Sequence, residues 1–66
     1  MIHVRFNGRS YDLDERELSL RGGVSDAELK RSVARFLEVA SEKFRFHVVD
    51  RRPSGDVIVR PEAVYG

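Results

Sequence analysis

An α+β domain, with one helix packed on one face of a four-stranded mixed sheet, is the fold class the sequence predicts, and three observations carry it. Residues 2–13 alternate apolar and polar around an Asn7-Gly8 pair, the pattern of a tight β-hairpin. Residues 25–40 open with a helix cap and continue at helical spacing. Residues 44–60 form two further β-type runs around Arg52-Pro53-Ser54-Gly55. The element order is therefore ββαββ.

In the first run Ile2, Val4 and Phe6 alternate with His3, Arg5 and Asn7. Asn and Gly tolerate the positive φ that both central residues of a type I′ turn require, so the pair fixes a two-residue loop. The register follows: Phe6 opposite Arg9, Val4 opposite Tyr11, Ile2 opposite Leu13. Tyr11 and Leu13 then join Ile2, Val4 and Phe6 on the helix-facing side, while His3 meets Asp12 and Arg5 meets Ser10 outside. Residues 14–23 are a connection, with Leu18 and Leu20 as anchors and Gly22-Gly23 at its end.

The helix begins at Ser25, whose hydroxyl can accept from the Glu28 amide while the Glu28 carboxylate reaches back to the Ser25 amide. Val24 and Leu29 occupy the positions of a hydrophobic staple. Leu29, Val33, Phe36, Leu37 and Ala40 form the buried stripe of a helix running to about Val39, with Lys30, Arg31, Arg35 and Glu38 outside it. After a turn at Ser41-Glu42-Lys43, a strand from Phe44 to Val49 places Phe44, Phe46 and Val48 on the core side by parity, and Arg45, His47 and Val49 outside. Asp56 to Arg60 is the last strand, and Pro61 stops regular pairing.

One compact topology satisfies this order: the first and last strands lie parallel in the centre, joined by a right-handed crossover through the helix, and each hairpin adds an edge strand. The strand order is 2-1-4-3, the β-grasp arrangement. Residues 1–60 make a single domain and residues 61–66 a C-terminal tail. A chain of 66 residues leaves no room for a second core. Without cysteine it has neither disulfides nor thiolate chemistry. No apolar run matches a membrane span and the first residues lack a signal-peptide layout, so the expected location is cytoplasmic. Twelve basic residues against 11 acidic give a net charge of +1, far from the excess usual for a nucleic-acid domain.

The run from Asp26 to Val39, with its Leu29-Lys30 pair and Leu37-Glu38-Val39 end, followed by Ala40-Ser41-Glu42-Lys43 and the apolar Phe44-Arg45-Phe46, resembles the helix and following strand of ubiquitin-like proteins. With the N-terminal hairpin and the C-terminal glycine, the likeness covers most of the chain and is greatest to the small prokaryotic members. It implies a non-catalytic bacterial protein-interaction module, monomeric, a modifier or adaptor meeting another protein or activating and conjugating enzymes. The chain ends Val64-Tyr65-Gly66 where ubiquitin and the sulfur carriers end in Gly-Gly. Leu20-Arg21-Gly22-Gly23 mimics such a tail internally and reads as a loop.

On that resemblance Gly66 is the conjugation residue, on a tail able to reach up to ~20 Å. Arg5, His47, Val49, Ile58 and Tyr65 are the expected partner-binding residues, a small apolar patch with a basic rim on the outer sheet face and at the tail, with the Val57/Val59 pair outside in place of Ile58 under the other register of the second hairpin. The strand from Phe44 is expected at an edge, open to a partner strand. The alternative is a nucleic-acid accessory domain in which Arg45, Arg51, Arg52 and Arg60 contact phosphates. His3, Asp12 and His47 make a poor metal set, better read as a solvated hydrogen bond, and no cofactor or metal is expected. No nucleophile–base pair, phosphate loop or carboxylate pair points to catalysis.

Overall fold

The computed structural model describes residues 1–18 and 24–62. Strands β1 (Ile2–Phe6), β2 (Arg9–Leu13), β3 (His47–Arg51) and β4 (Val57–Pro61) form one sheet in the order β2-β1-β4-β3, and helix α1 spans Asp26–Phe36. β1 and β4 are parallel and both hairpins antiparallel, so the central crossover is as the element order demands.

The first hairpin has the register set by its turn, with Asn7 at φ 54° and Gly8 at φ 76°. In the second, Pro53 and Gly55 occupy the expected turn positions, and the Gly55 amide donates to the Arg52 carbonyl at 3.0 Å. Ser25 caps α1, accepting from the Glu28 amide at 3.2 Å; the return bond from the Glu28 carboxylate does not form. The connection after β2 is locally ordered by Asp14 and Glu17. Asp14 Oδ1 accepts from the Arg16 amide and Glu17 Oε2 from the Asp14 amide, both at 2.9 Å, and together they start a 3₁₀ turn at Glu15–Leu18 that buries Leu18. The Arg16 amide, with its guanidinium alongside, holds the Asp14 carboxyl below its usual pKa. Leu20 and Gly22-Gly23 lie outside the described residues.

Ile2, Val4, Leu13, Val57 and Val59 of the sheet, Leu29, Val33 and Ala34 of α1, and Leu18 and Phe44 from the connections make the core. Four corrections to the sequence expectations follow from how it is filled. α1 stops at Phe36, three residues early, because Glu38 takes the left-handed conformation (φ 58°). The Glu38 amide donates to Arg35 and the Val39 amide to Ala34, a Schellman end built without glycine. At about 100° per residue, Leu29, Val33, Leu37 and Ala34 span one arc that includes Lys30 and leaves Phe36 at its edge. Phe36 is accordingly 44% exposed and Ala40 is exposed, while Lys30 is half-buried.

The third correction is the strand after the helix. Ser41–Phe44 is a 3₁₀ turn that drops Phe44 into the core, and β3 begins only at His47. A turn between Phe44 and the strand breaks the two-residue parity, so Phe46 is 66% exposed rather than buried. The fourth follows in β3 itself. Val49 pairs with the fully buried Val59 and packs against the core, so His47, Val49 and Arg51 face the helix side, and Val48 and Asp50 face outward. The expected placement of His47 and Val49 on the outer face is reversed.

His47 has a structural role on that inner side. In the parallel ladder the Val57 amide donates to the Met1 carbonyl at 3.1 Å, and alternation would have residue 61 donate to the Arg5 carbonyl. Pro61 has no N–H, yet β4 runs through it, because pairing with β3 continues there, with Pro61 opposite His47 and the Glu62 amide donating to the Phe46 carbonyl at 3.1 Å; His47 Nε2 stands 3.0 Å from the Arg5 carbonyl that Pro61 cannot reach. A carbonyl only accepts, so Nε2 carries the hydrogen. The ring also packs against Phe44, with centroids 4.6 Å apart, and Phe44 stacks on Phe6 at 4.7 Å.

Candidate functional site

The outer face of the sheet is assembled in two rows by the strand register. Asp12, His3, Ile58 and Asp50 form one, each paired with the next across neighbouring strands. Ser10, Arg5, Arg60 and Val48 form the other, since Arg5 and Arg60 follow the Val4–Val59 pair on parallel strands. β-branched Ile58, half-buried at the centre of the first row, and Val48 supply the apolar part. Of the residues expected to bind a partner, Arg5 and Ile58 come together here, His47 and Val49 lie on the opposite side, and Tyr65 is outside the described residues, as is Gly66. Val48, missed by parity, takes the place assigned to Val49.

His3 Nδ1 and Asp12 Oδ1 are 2.7 Å apart, an exposed cross-strand bond, and His47 is on the other face, so the three do not converge on one point. At the far end, the ammonium of Met1 bonds Asp56 at 3.3 Å and holds that carboxyl below its usual pKa, and Arg52 pairs with Asp50 at 3.1 Å.

The four arginines of the nucleic-acid alternative separate. Arg51 Nη2 donates to the Val24 carbonyl at 2.8 Å and to Asp26 Oδ1 at 3.0 Å, tying β3 to the start of α1, and Arg52 is neutralised by Asp50. Arg45 and Arg60 belong to the other end of β3 and β4, where the Arg45 guanidinium sits 4.6 Å above the centre of the Phe46 ring.

β3 is an edge strand, as expected, but a guarded one. Alternation leaves the backbone of His47, Val49 and Arg51 turned away from β4. Lys30 Nζ donates to the His47 carbonyl at 3.1 Å and to the Arg45 carbonyl at 3.3 Å, occupying acceptors that an added strand would use. The helical position of Lys30 within the buried arc was the sequence signal for this contact.

Two shallow clefts lie where the sheet ends at the Asn7-Gly8 turn. One, about 460 Å³, is walled by Arg5, Arg9 and Arg60 with Pro61 and Glu62. The other, about 430 Å³, is walled by Lys43, Phe46 and His47 and shares Pro61 and Glu62. Among the described residues no three His, Cys, Asp or Glu side chains group as metal ligands, and no helix is long and apolar enough to cross a membrane. Comparison with known proteins finds no family model, no curated protein and no solved structure that matches the chain.

Proposed function

We propose that the chain is a β-grasp domain of the ubiquitin-like kind that acts without catalysis, by binding another protein on the open face of its sheet. One observation carries this reading. α1, Leu18 and Phe44 all pack on one side of the sheet, while the other side offers Ile58 and Val48 within a charged surround that includes Arg5, Arg60 and His3. A central strand as β-branched as β4, with an apolar residue on the side that no described residue covers, fits a face that another surface covers. The separation of Arg51 and Arg52 from Arg45 and Arg60 weighs against a nucleic-acid track. Attachment through Gly66 is the more specific form of the same proposal.

The test is a pull-down from native lysate with the unaltered chain, Ile58→Glu and a form lacking Tyr65 and Gly66, read by intact mass. Loss of the captured partner with Ile58→Glu alone supports the sheet face, and a covalent adduct that vanishes with the truncation supports a modifier. A partner held equally by all three forms overturns the assignment of both surfaces.

A further inference from the structure

We infer that the end of the sheet at the Asn7-Gly8 turn docks an acidic peptide segment of the partner, its carboxylates on Arg5, Arg60 and Arg9 and one apolar side chain beside Phe46 and Pro61. The inference rests on the protein-binding reading and adds the chemistry of the partner.

Charge is the first support. Arg5, Arg9 and Arg60 wall one cleft and Lys43 the adjoining one, and among the described residues Glu62 is the only carboxylate in the two walls. Among the described residues none of these four cations is in a salt bridge, whereas Arg16, Arg51 and Arg52 and the Met1 ammonium are each paired with an aspartate. Lys30, Arg31, Arg35 and Arg45 are likewise outside salt bridges, so half of the unpaired side-chain cations among the described residues wall these two clefts. Arg5 and Arg60 project from adjacent parallel strands on the same face, so a carboxylate placed between them takes charge-assisted bonds from two guanidiniums.

The apolar component is the second. Phe46 is 66% exposed, with Arg45 over one face of its ring, and it borders the cleft that His47 and Pro61 also line. Exposed aromatic surface beside arginine is the composition of interface anchors. Because the clefts share Pro61 and Glu62, the charged and apolar parts are contiguous. A peptide supplies both complements. An uncharged residue of the peptide lies against Glu62, where a carboxylate or a phosphate alike would be repelled.

The experiment is an NMR titration of the full, ¹⁵N-labelled chain with a ten-residue peptide of aspartate and glutamate containing one central leucine. A serine-substituted version of the peptide and a thymidine oligonucleotide of equal length serve as comparators. The expected result is amide shifts at Arg5, Arg9, Phe46, Arg60 and Glu62. Affinity should fall about tenfold or more in the Arg5→Glu, Arg60→Glu double variant and stay within about twofold in Arg31→Glu on the exposed side of α1. Phe46→Ser should weaken the leucine peptide and leave the serine peptide unchanged. Equal losses with Arg31→Glu, or no shifts at millimolar peptide, overturn the inference. Shifts confined to Ile58 and Val48 overturn it while leaving the protein-binding reading intact. An oligonucleotide that binds the same residues more tightly than either peptide overturns both.

Discussion

Truncating Phe44 and Phe46 separately gives two outcomes that the packing sets far apart. Phe44 is fully buried, stacked on Phe6 and against His47, and Phe→Ala at such a site costs about 3–5 kcal/mol. A 66-residue domain is stable by only about 3–10 kcal/mol, so Phe44→Ala brings the chain to the margin of folding, and Phe44→Leu is the companion that keeps a measurable transition. Phe46 is 66% exposed. The covered third of a ring of ~200 Å² is worth at most ~1.7 kcal/mol at ~25 cal/mol/Å², and an exposed cation–π contact adds about 0.5 kcal/mol. Phe46→Ala should therefore cost near 1 kcal/mol. With a urea slope of about 1 kcal/mol/M, the midpoints of the two alanine variants should differ by about 2 M or more. Midpoints that agree within about 0.5 M would mean that both rings are buried, that the strand starts at Phe44, and that His47 and Val49 face outward after all.

Further outcomes follow from the same packing. Glu38→Gly relieves a left-handed non-glycine residue at the end of α1 and should stabilise by about 1 kcal/mol in urea unfolding; a loss of stability would refute the Schellman end. Val4→Asp places a charge where exposure is 0% and should abolish cooperative thermal unfolding, whereas Phe36→Asp at the rim should cost only about 1–2 kcal/mol. The Asp14 carboxyl has its folded pKa lowered from 3.8, so its contribution is present above pH 4 and is lost as pH falls through the folded value. Asp14→Asn should therefore decline less in stability between pH 4 and pH 2 than the unaltered chain.

The elements whose geometry is set by neighbours in sequence were readable from it. Asn7-Gly8 admits one turn, and the turn alone fixes every pair from Phe6–Arg9 to Ile2–Leu13. Ser25 announces the start of α1 in the same local way. Its end was hidden because the left-handed position is held by Glu38, a residue that carries no such signal. Asp14 and Glu17 did carry one, an acidic pair three residues apart in which the Glu17 carboxylate accepts from the Asp14 amide and the Asp14 carboxylate from the Arg16 amide, in a stretch that reads as a plain connection. The face of β3 was misread for a different reason: parity is conserved along a strand and not through a 3₁₀ turn, so Phe44 says nothing about Phe46 or Val49. Least accessible of all was the role of His47. It answers a hydrogen bond that Pro61 cannot make to Arg5, a relation among three strands that only the assembled sheet creates. The candidate surface inherits this division. Arg5 lies on a strand whose face the Asn7-Gly8 turn sets, the choice between Ile58 and the Val57/Val59 pair is settled only by the assembled sheet, and Val48 and the exposed Phe46 emerge only with the corrected face of β3.

Amide hydrogen exchange of the chain alone and bound to a captured partner is the most direct measurement of whether function resides on the open side of the sheet. The expected footprint is added protection in β1 and β4 around Arg5 and Ile58, extending to Phe46 and Glu62, with α1 unchanged. Protection confined to the exposed side of α1, around Arg31 and Arg35, would contradict it and place the interface on the helix.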